Sequence, residues 1–290
     1  MNQDTPSHPA GPLNSEGPTR RWGRWLLAGT AAWAVLLLGL SYLSMRNDEP
    51  TVREQRSLTQ AAPVVNRAIG ELVAAAGPEP VLEMSAPRVA AGCQVSVLRD
   101  GATLERTVAM RTPPELAPAL LDRLADRLPA QFRAGVRTGP DGTARSLRAD
   151  AGEFVLIEGG ITEPGLVTLT ATTGCRPASS DLLIGENAIG LPIDAEPDRV
   201  LTALGATDVN PGERVSVGCP GGGAAYTVWA TGLSPAAAPP PNETLSTLAG
   251  TVVATDEPEL YAYRDGPLSV VVTAVAGDLR VAVTTDCAEG

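Results

Sequence analysis

Four cysteines, Cys93, Cys175, Cys219 and Cys287, are the first residues here whose type and spacing admit chemistry. No C-x-x-C spacing occurs, so thiol–disulfide catalysis is not the reading they support. In an oxidising compartment they become structural disulfides, with three connectivities open to four thiols. The other nucleophiles lack partners. The single histidine, His8, stands near the N-terminus, and the 22 basic residues are all arginine. Beyond residue 8 there is thus no imidazole base for a Ser-His-Asp or Cys-His arrangement. Without lysine there is no Schiff base, no Ser-Lys dyad and no Walker A loop. Without further histidine or spare cysteine, no metal site and no cofactor are expected.

Two carboxylate clusters remain: Asp194, Glu196 and Asp198, and Asp256, Glu257 and Glu259. Paired carboxylates hydrolyse glycosides. Here prolines interrupt both clusters, which marks loops, and a carboxylate-based hydrolase is only a remote alternative. Aromatic residues are sparse. Trp229 with Tyr261 and Tyr263 forms a candidate recognition patch, weighed against a role in the core or on a sheet face. Charge is uneven. From Asp181 onward four arginines stand against fifteen acids, which argues against a nucleic-acid partner. That acidity reads as a solvated surface, with a docking face for a basic partner as the sharper alternative.

These groups follow a long apolar run, Trp25 to Leu43, 19 residues without a charge. At 1.5 Å per residue it spans roughly 28 Å, about one hydrocarbon core. Trp25, Trp33, Leu36, Leu37, Leu38 and Leu43 are its anchoring side chains. Arg20, Arg21 and Arg24 precede it, and the positive-inside rule then puts the N-terminus in the cytoplasm and the C-terminal domains outside. A cleaved signal peptide is the rival. The run exceeds a usual h-region and no A-x-A site follows, so an uncleaved single-pass anchor in the cell membrane is expected.

The chain divides into a disordered tail (1–21), the membrane helix (22–45), a stalk (46–62), a first domain (63–177), a linker (178–196) and a second domain (197–290). The first domain opens with a helix expected from Pro63, its stripe running from Val64 to Ala76. Asp100-Gly101 signals a hairpin. Thr112-Pro113-Pro114-Glu115 reads as a capping box opening a helix through Leu128, with Leu116, Leu120 and Leu124 on its buried face. Pro140-Asp141-Gly142 marks a turn. Strands are expected over 81–84, 93–99, 145–149, 153–158 and 166–175. The second domain has a short helix from Glu196, then strands over 214–219, 226–231, 250–255, 260–264, 268–275 and 279–287. The fold class is α+β: a transmembrane helix, then two tandem small domains, each an antiparallel sheet with a helix on one face, the second mostly β.

The halves repeat each other. Arg88-Val89-Ala90-Ala91-Gly92-Cys93 matches Arg214-Val215-Ser216-Val217-Gly218-Cys219, and Thr172-Thr173-Gly174-Cys175 matches Thr284-Thr285-Asp286-Cys287. Each copy then has one cysteine beside its opening strand and one at the end of its closing strand. Pairing within copies, Cys93–Cys175 and Cys219–Cys287, is the expectation. The second copy has a proline-rich loop, 234–242, where the first has its longer helix, leaving its sheet less covered or covered by the other domain.

At these residues the chain resembles the extracytoplasmic domains of uncharacterised actinobacterial single-pass membrane proteins and lipoproteins, over about residues 63–175 and more loosely beyond. The resemblance carries no catalytic residues. The expected function is a non-enzymatic, membrane-anchored envelope protein that binds or scaffolds a protein or peptide. The alternative is an accessory or sensor subunit of a membrane complex. The expected partners are the membrane and a protein of the cell envelope, and the oligomeric state stays open.

Overall fold

The computed structural model describes residues 19–47, 56–97, 99–140, 144–177, 193–235, 238–246 and 252–287. The tail before Thr19, residues 48–55 of the stalk, most of the linker and both Asp141 and Gly142 of the Pro140-Asp141-Gly142 turn lie outside these. The chain forms two compact units, residues 1–51 and 52–290. Among its described residues the first holds one helix, α1 (Thr19–Asn47). Its stretch Arg24–Ser44 is long and apolar enough to cross a membrane, a test that a signal sequence also passes. The anchor residues Trp25, Trp33, Leu36, Leu37, Leu38 and Leu43 are exposed along it.

The second unit opens with α2 (Leu58–Ala76). It starts five residues before the expected Pro63, because the Ser57 hydroxyl accepts from the Gln60 backbone and the Gln60 side chain accepts from that of Ser57. This reciprocal cap satisfies two orphan donors and outweighs the hydrogen bond that Pro63 forgoes inside the helix. The apolar face is broader than one stripe, for Ala61, Ala68, Gly70, Ala75 and Ala76 are buried beside Val65, Ile69, Leu72 and Val73.

Next come β1 (Val81–Met84), β2 (Arg88–Ser96) and β3 (Arg99–Arg111). The β2–β3 hairpin closes between Ser96 and Arg99, earlier than Asp100-Gly101. Gly101 lies within the strand, where a Cβ would stand 2.5 Å from the Arg176 carbonyl oxygen and 2.8 Å from Cys175 Sγ. Its glycine therefore answers a close approach rather than a turn. After β3 a 3-10 turn, Pro114–Leu116, leads into α3 (Ala117–Arg127). The expected capping box is not made: no side chain caps either element. With Pro113 extended and Pro114 starting a 3-10 turn, the true helix begins only at Ala117, leaving Leu116 50% exposed while Leu120, Leu121 and Leu124 are buried.

The first sheet is completed by β4 (Gly135–Thr138), β5 (Arg145–Gly152), β6 (Val155–Glu163), β7 (Leu166–Thr172) and the short β8 (Arg176–Pro177). The second unit then continues with α4 (Glu196–Ala203), β9 (Thr207–Gly218), β10 (Ala224–Leu233), α5 (Pro241–Leu245), β11 (Val252–Glu257), β12 (Leu260–Asp265), β13 (Leu268–Val275) and β14 (Asp278–Thr285). The expected α+β class holds: two sheets, each antiparallel throughout, with helices laid on them.

Their strand orders correspond. The first runs β1-β3-β7-β6-β5-β4, with β2 also on β3, and the second runs β9-β10-β14-β13-β12-β11. β1 and β2 together stand to β3 as the bulged β9 stands to β10. In each sheet a threonine pair joins its hydroxyls across the central strands, Thr107 to Thr170 at 2.9 Å and Thr227 to Thr284 at 2.8 Å.

The two sheets share α2. Val215, Val217, Trp229, Ala262, Val271 and Ala282 belong to the same core as α2, α3 and the inner face of the first sheet. Alternate residues of the same strands, among them Val228, Val270, Val272, Val281, Val283, Tyr261 and Tyr263, form a second core under α4 and α5. The second sheet is thus covered on both faces, which is why β13 reads Ser-Val-Val-Val without a polar alternation. Cys93 is bonded to Cys175 and Cys219 to Cys287, closing loops of 82 and 68 residues.

Candidate functional site

A concavity lies where β1 and β3 of the first sheet meet β9, β10 and β14 of the second. It is a cleft of about 490 Å³, lined by Glu83, Ser85, Thr107, Glu213, Trp229, Thr231 and Arg280 among others. Each side chain is presented by strand alternation. On β1, Val81 and Leu82 are buried, while Glu83 pairs with Ala109 and stands on the outer face of the sheet with it and Thr107. On β10, Trp229 faces away from Val228 and Ala230, which point into the second core.

Three of these residues form a closed constellation. Glu83 Oε1 accepts from Trp229 Nε1 at 3.1 Å and from Arg280 Nη2 at 2.8 Å, and the Arg280 guanidinium carbon stands 5.7 Å from the indole centroid. The carboxylate neutralises the arginine, the arginine covers the ring, and the ring holds the carboxylate. The Glu83 carboxylate is thus committed to holding its two neighbours. The group able to act is Arg280: about half its side chain is exposed and a guanidinium carries five N–H donors, so it can meet an acceptor from outside.

Behind the cleft the sheets are joined by buried charge. Arg106, on β3, is 2% exposed and donates to Ser85 O at 3.1 Å, to Asn66 Oδ1 on α2 at 2.7 Å and to Ser216 O on β9 at 2.9 Å. Burial lowers its pKa to about 10. Arg264 donates to Pro80 O, Ser269 Oγ and the carboxylate of Asp286. The Met84 backbone N–H donates to Thr227 Oγ1 at 3.3 Å. These bonds fix the two walls of the cleft relative to each other.

The sequence-marked residues are distributed differently from the expectation. Trp229, Tyr261 and Tyr263 do not share an exposed patch. All three are buried, Trp229 in the first core and the tyrosines in the second, their rings 5.5 Å apart. Across the sheet Trp229 is in register with Ala282, Val271 and Ala262, so it shares the face of Ala262 while the flanking Tyr261 and Tyr263 point to the other. The acidic clusters are dispersed into pairs: Asp194 accepts from Arg214, Glu196 from Arg199 and Asp256 from Asn242. Among the described residues no group of three His, Cys, Asp or Glu is placed to hold a metal ion. Sequence reasoning missed Glu83, Glu213 and Arg280. Arg280 carried one usable signal, as one of only four arginines in the acidic half of the chain.

No protein-family model matches the chain. No curated protein matches it either. Among solved structures it is similar to a DUF4853 family protein from Actinomyces odontolyticus, at 15% identity and a TM-score of 0.31, over 55% of this chain and 86% of that one. A likeness at that score transfers neither fold nor function.

Proposed function

We propose that this chain is a membrane-anchored envelope protein, held by α1 with its N-terminus in the cytoplasm, whose exterior body is a non-enzymatic binding module for a protein or peptide. Two disulfides in one compact unit after a membrane-length apolar helix support an oxidising exterior compartment. The matched strand orders support a tandem duplication, and the composition supports an actinobacterial origin.

The observation that carries the binding reading is the cleft. Its walls are locked by buried hydrogen bonds, and Arg280 rests on Trp229, a half-exposed donor for an acidic side chain or a backbone carbonyl. Glu213 and the hydroxyl of Thr231 add a polar rim. The test is crosslinking with mass spectrometry in native membranes, comparing the wild-type chain with Arg280→Glu. Crosslinks from cleft residues to one envelope protein, lost on charge reversal, are the expected result. Crosslinks that ignore the cleft, or that survive Arg280→Glu unchanged, would overturn the assignment of the site. Protease added to intact spheroplasts checks the topology: it should digest the disulfide-bonded body and leave the tail.

A further inference from the structure

The cleft carries two opposite charges that the fold leaves available. Arg280 keeps guanidinium donors beyond the one given to Glu83, and 46% of its side chain is exposed. Glu213 is exposed and has no hydrogen bond or ion pair among the described residues. Strand register fixes where the two stand. Arg280 on β14 is opposite Thr231 on β10, and Thr231 is opposite Asn210 on β9. The β9 register slips between Pro211 and Arg214, so Gly212 and Glu213 both face Trp229 across a bulge. The Arg280 guanidinium lies over the Trp229 ring, on the strand between. Neighbouring strands are about 4.8 Å apart, which sets the two charges about 5–10 Å from each other. They stand as separate poles on one rim rather than as an ion pair.

The charges select the occupant. Glu83 and Glu213 against Arg280 leave the rim net negative, so an acid-rich surface is repelled. A ligand that brings one cation with its carboxylate answers both poles. A choline-type cation wants an aromatic face, and the indole here is already covered by Arg280. A free amino acid holds both charges on one carbon and cannot reach both poles. An extended peptide of two or three residues spans about 7–11 Å between its termini, which matches the separation. The cleft, about 490 Å³, falls within the range of small-ligand sites, about 300–1,000 Å³. Ala86 and Ala109 give it low apolar walls, and the exposed Thr231 hydroxyl stands ready for a peptide group.

We propose that the cleft takes a short zwitterionic peptide, its carboxylate on Arg280 and its ammonium group on Glu213. The inference rests on the reading of the cleft as a binding site.

The test titrates the full chain in dodecylmaltoside micelles with trialanine, followed by saturation-transfer NMR. It is repeated with N-acetyl-trialanine, with trialanine amide and with free alanine as competitor. Trialanine is expected to bind, free alanine not to displace it, and either cap to weaken binding about tenfold or more. Arg280→Gln should weaken trialanine by a similar factor and the amide no further. Glu213→Gln should do the same for the acetylated and free peptides. Trialanine that does not bind, that alanine displaces equally well, or whose binding ignores both caps overturns the assignment. Cap effects that persist unchanged in both variants place the peptide elsewhere and overturn it too. If the crosslinks from the cleft to an envelope protein are still lost with Arg280→Glu, the binding reading stands without the zwitterion. If those crosslinks are also absent, both fall together.

Discussion

Gly70 and Gly218 stand so close that a Cβ built on Gly70 would lie 2.0 Å from the Gly218 carbonyl oxygen. Gly70 is in the middle of α2, and Gly218 ends β9 immediately before Cys219. Nearby, Cys287 Sγ lies 3.8 Å from the Gly70 carbonyl oxygen. The helix that opens the second unit is thus in backbone contact with the disulfide corner of the second sheet. Glycine is the residue that permits it.

Gly70→Ala should therefore destabilise the protein by about 1–3 kcal/mol, although alanine is the better helix former by about 1 kcal/mol. Urea unfolding with both disulfides intact measures it. A stabilised variant would mean that the helix and the Gly218 carbonyl are not in contact.

Arg106 ties α2, the end of β1 and β9 together through three acceptors. Arg106→Met removes the buried charge and also leaves those acceptors without their donor. The expected loss is about 3 kcal/mol or more. Arg88→Ala, which breaks only the exposed pair with Glu105, should cost less than about 1 kcal/mol. Similar small losses in both would show that Arg106 does not join the sheets.

The leucines of α3 separate packing from exposure within one short segment. Leu120→Ala should cost about 2–5 kcal/mol, because the side chain is fully buried under the first sheet. Leu116→Ala, half exposed, should cost about 1 kcal/mol or less. Thermal melts of the two variants give the comparison.

Non-reducing peptide mapping should recover Cys93 linked to Cys175 and Cys219 linked to Cys287. Replacing Cys219 and Cys287 together with serine should cost about 2–4 kcal/mol and weaken both sheets, because that corner abuts α2. Hydrogen exchange confined to the second sheet would contradict the shared core.

Tyr263 sets an alkaline limit. Its phenol is pushed up to about 12, by burial first and by the Asp265 carboxylate next. The unfolded phenol titrates near 10, so the unfolded state releases its proton first as pH rises. The contribution, on the order of 2–3 kcal/mol, is whole below pH 10 and is lost as pH climbs through 12. Urea midpoints between pH 9 and 12 should fall in the wild type and fall less in Tyr263→Phe.

What the sequence alone determined is what depends on short windows and on chain order. The apolar run from Trp25 to Leu43 declares a membrane-length helix through length and composition. The apolar stripe from Val64 to Ala76 declares a helix face. The ordered recurrence of Arg-to-Cys and Thr-Thr-x-Cys motifs was enough to expect the pairing of all four cysteines, because a repeated topology repeats its closures. Local rules failed where a residue answers a distant neighbour. Asp100-Gly101 reads as a turn, yet Gly101 makes room for Cys175 and Arg176. Thr112 to Glu115 reads as a cap, yet the chain there continues in 3-10 form. Only the tertiary structure decided that α2 serves both sheets, since no periodicity distinguishes a helix buried against one layer from one buried against two. It alone assembled Glu83, Trp229 and Arg280, which stand 146 and 197 residues apart along the chain. Such contacts arise when two separately folded faces meet. Hydrophobic patterning specifies that each face must be covered, and the pairing of particular polar groups across the junction is set by the packing itself.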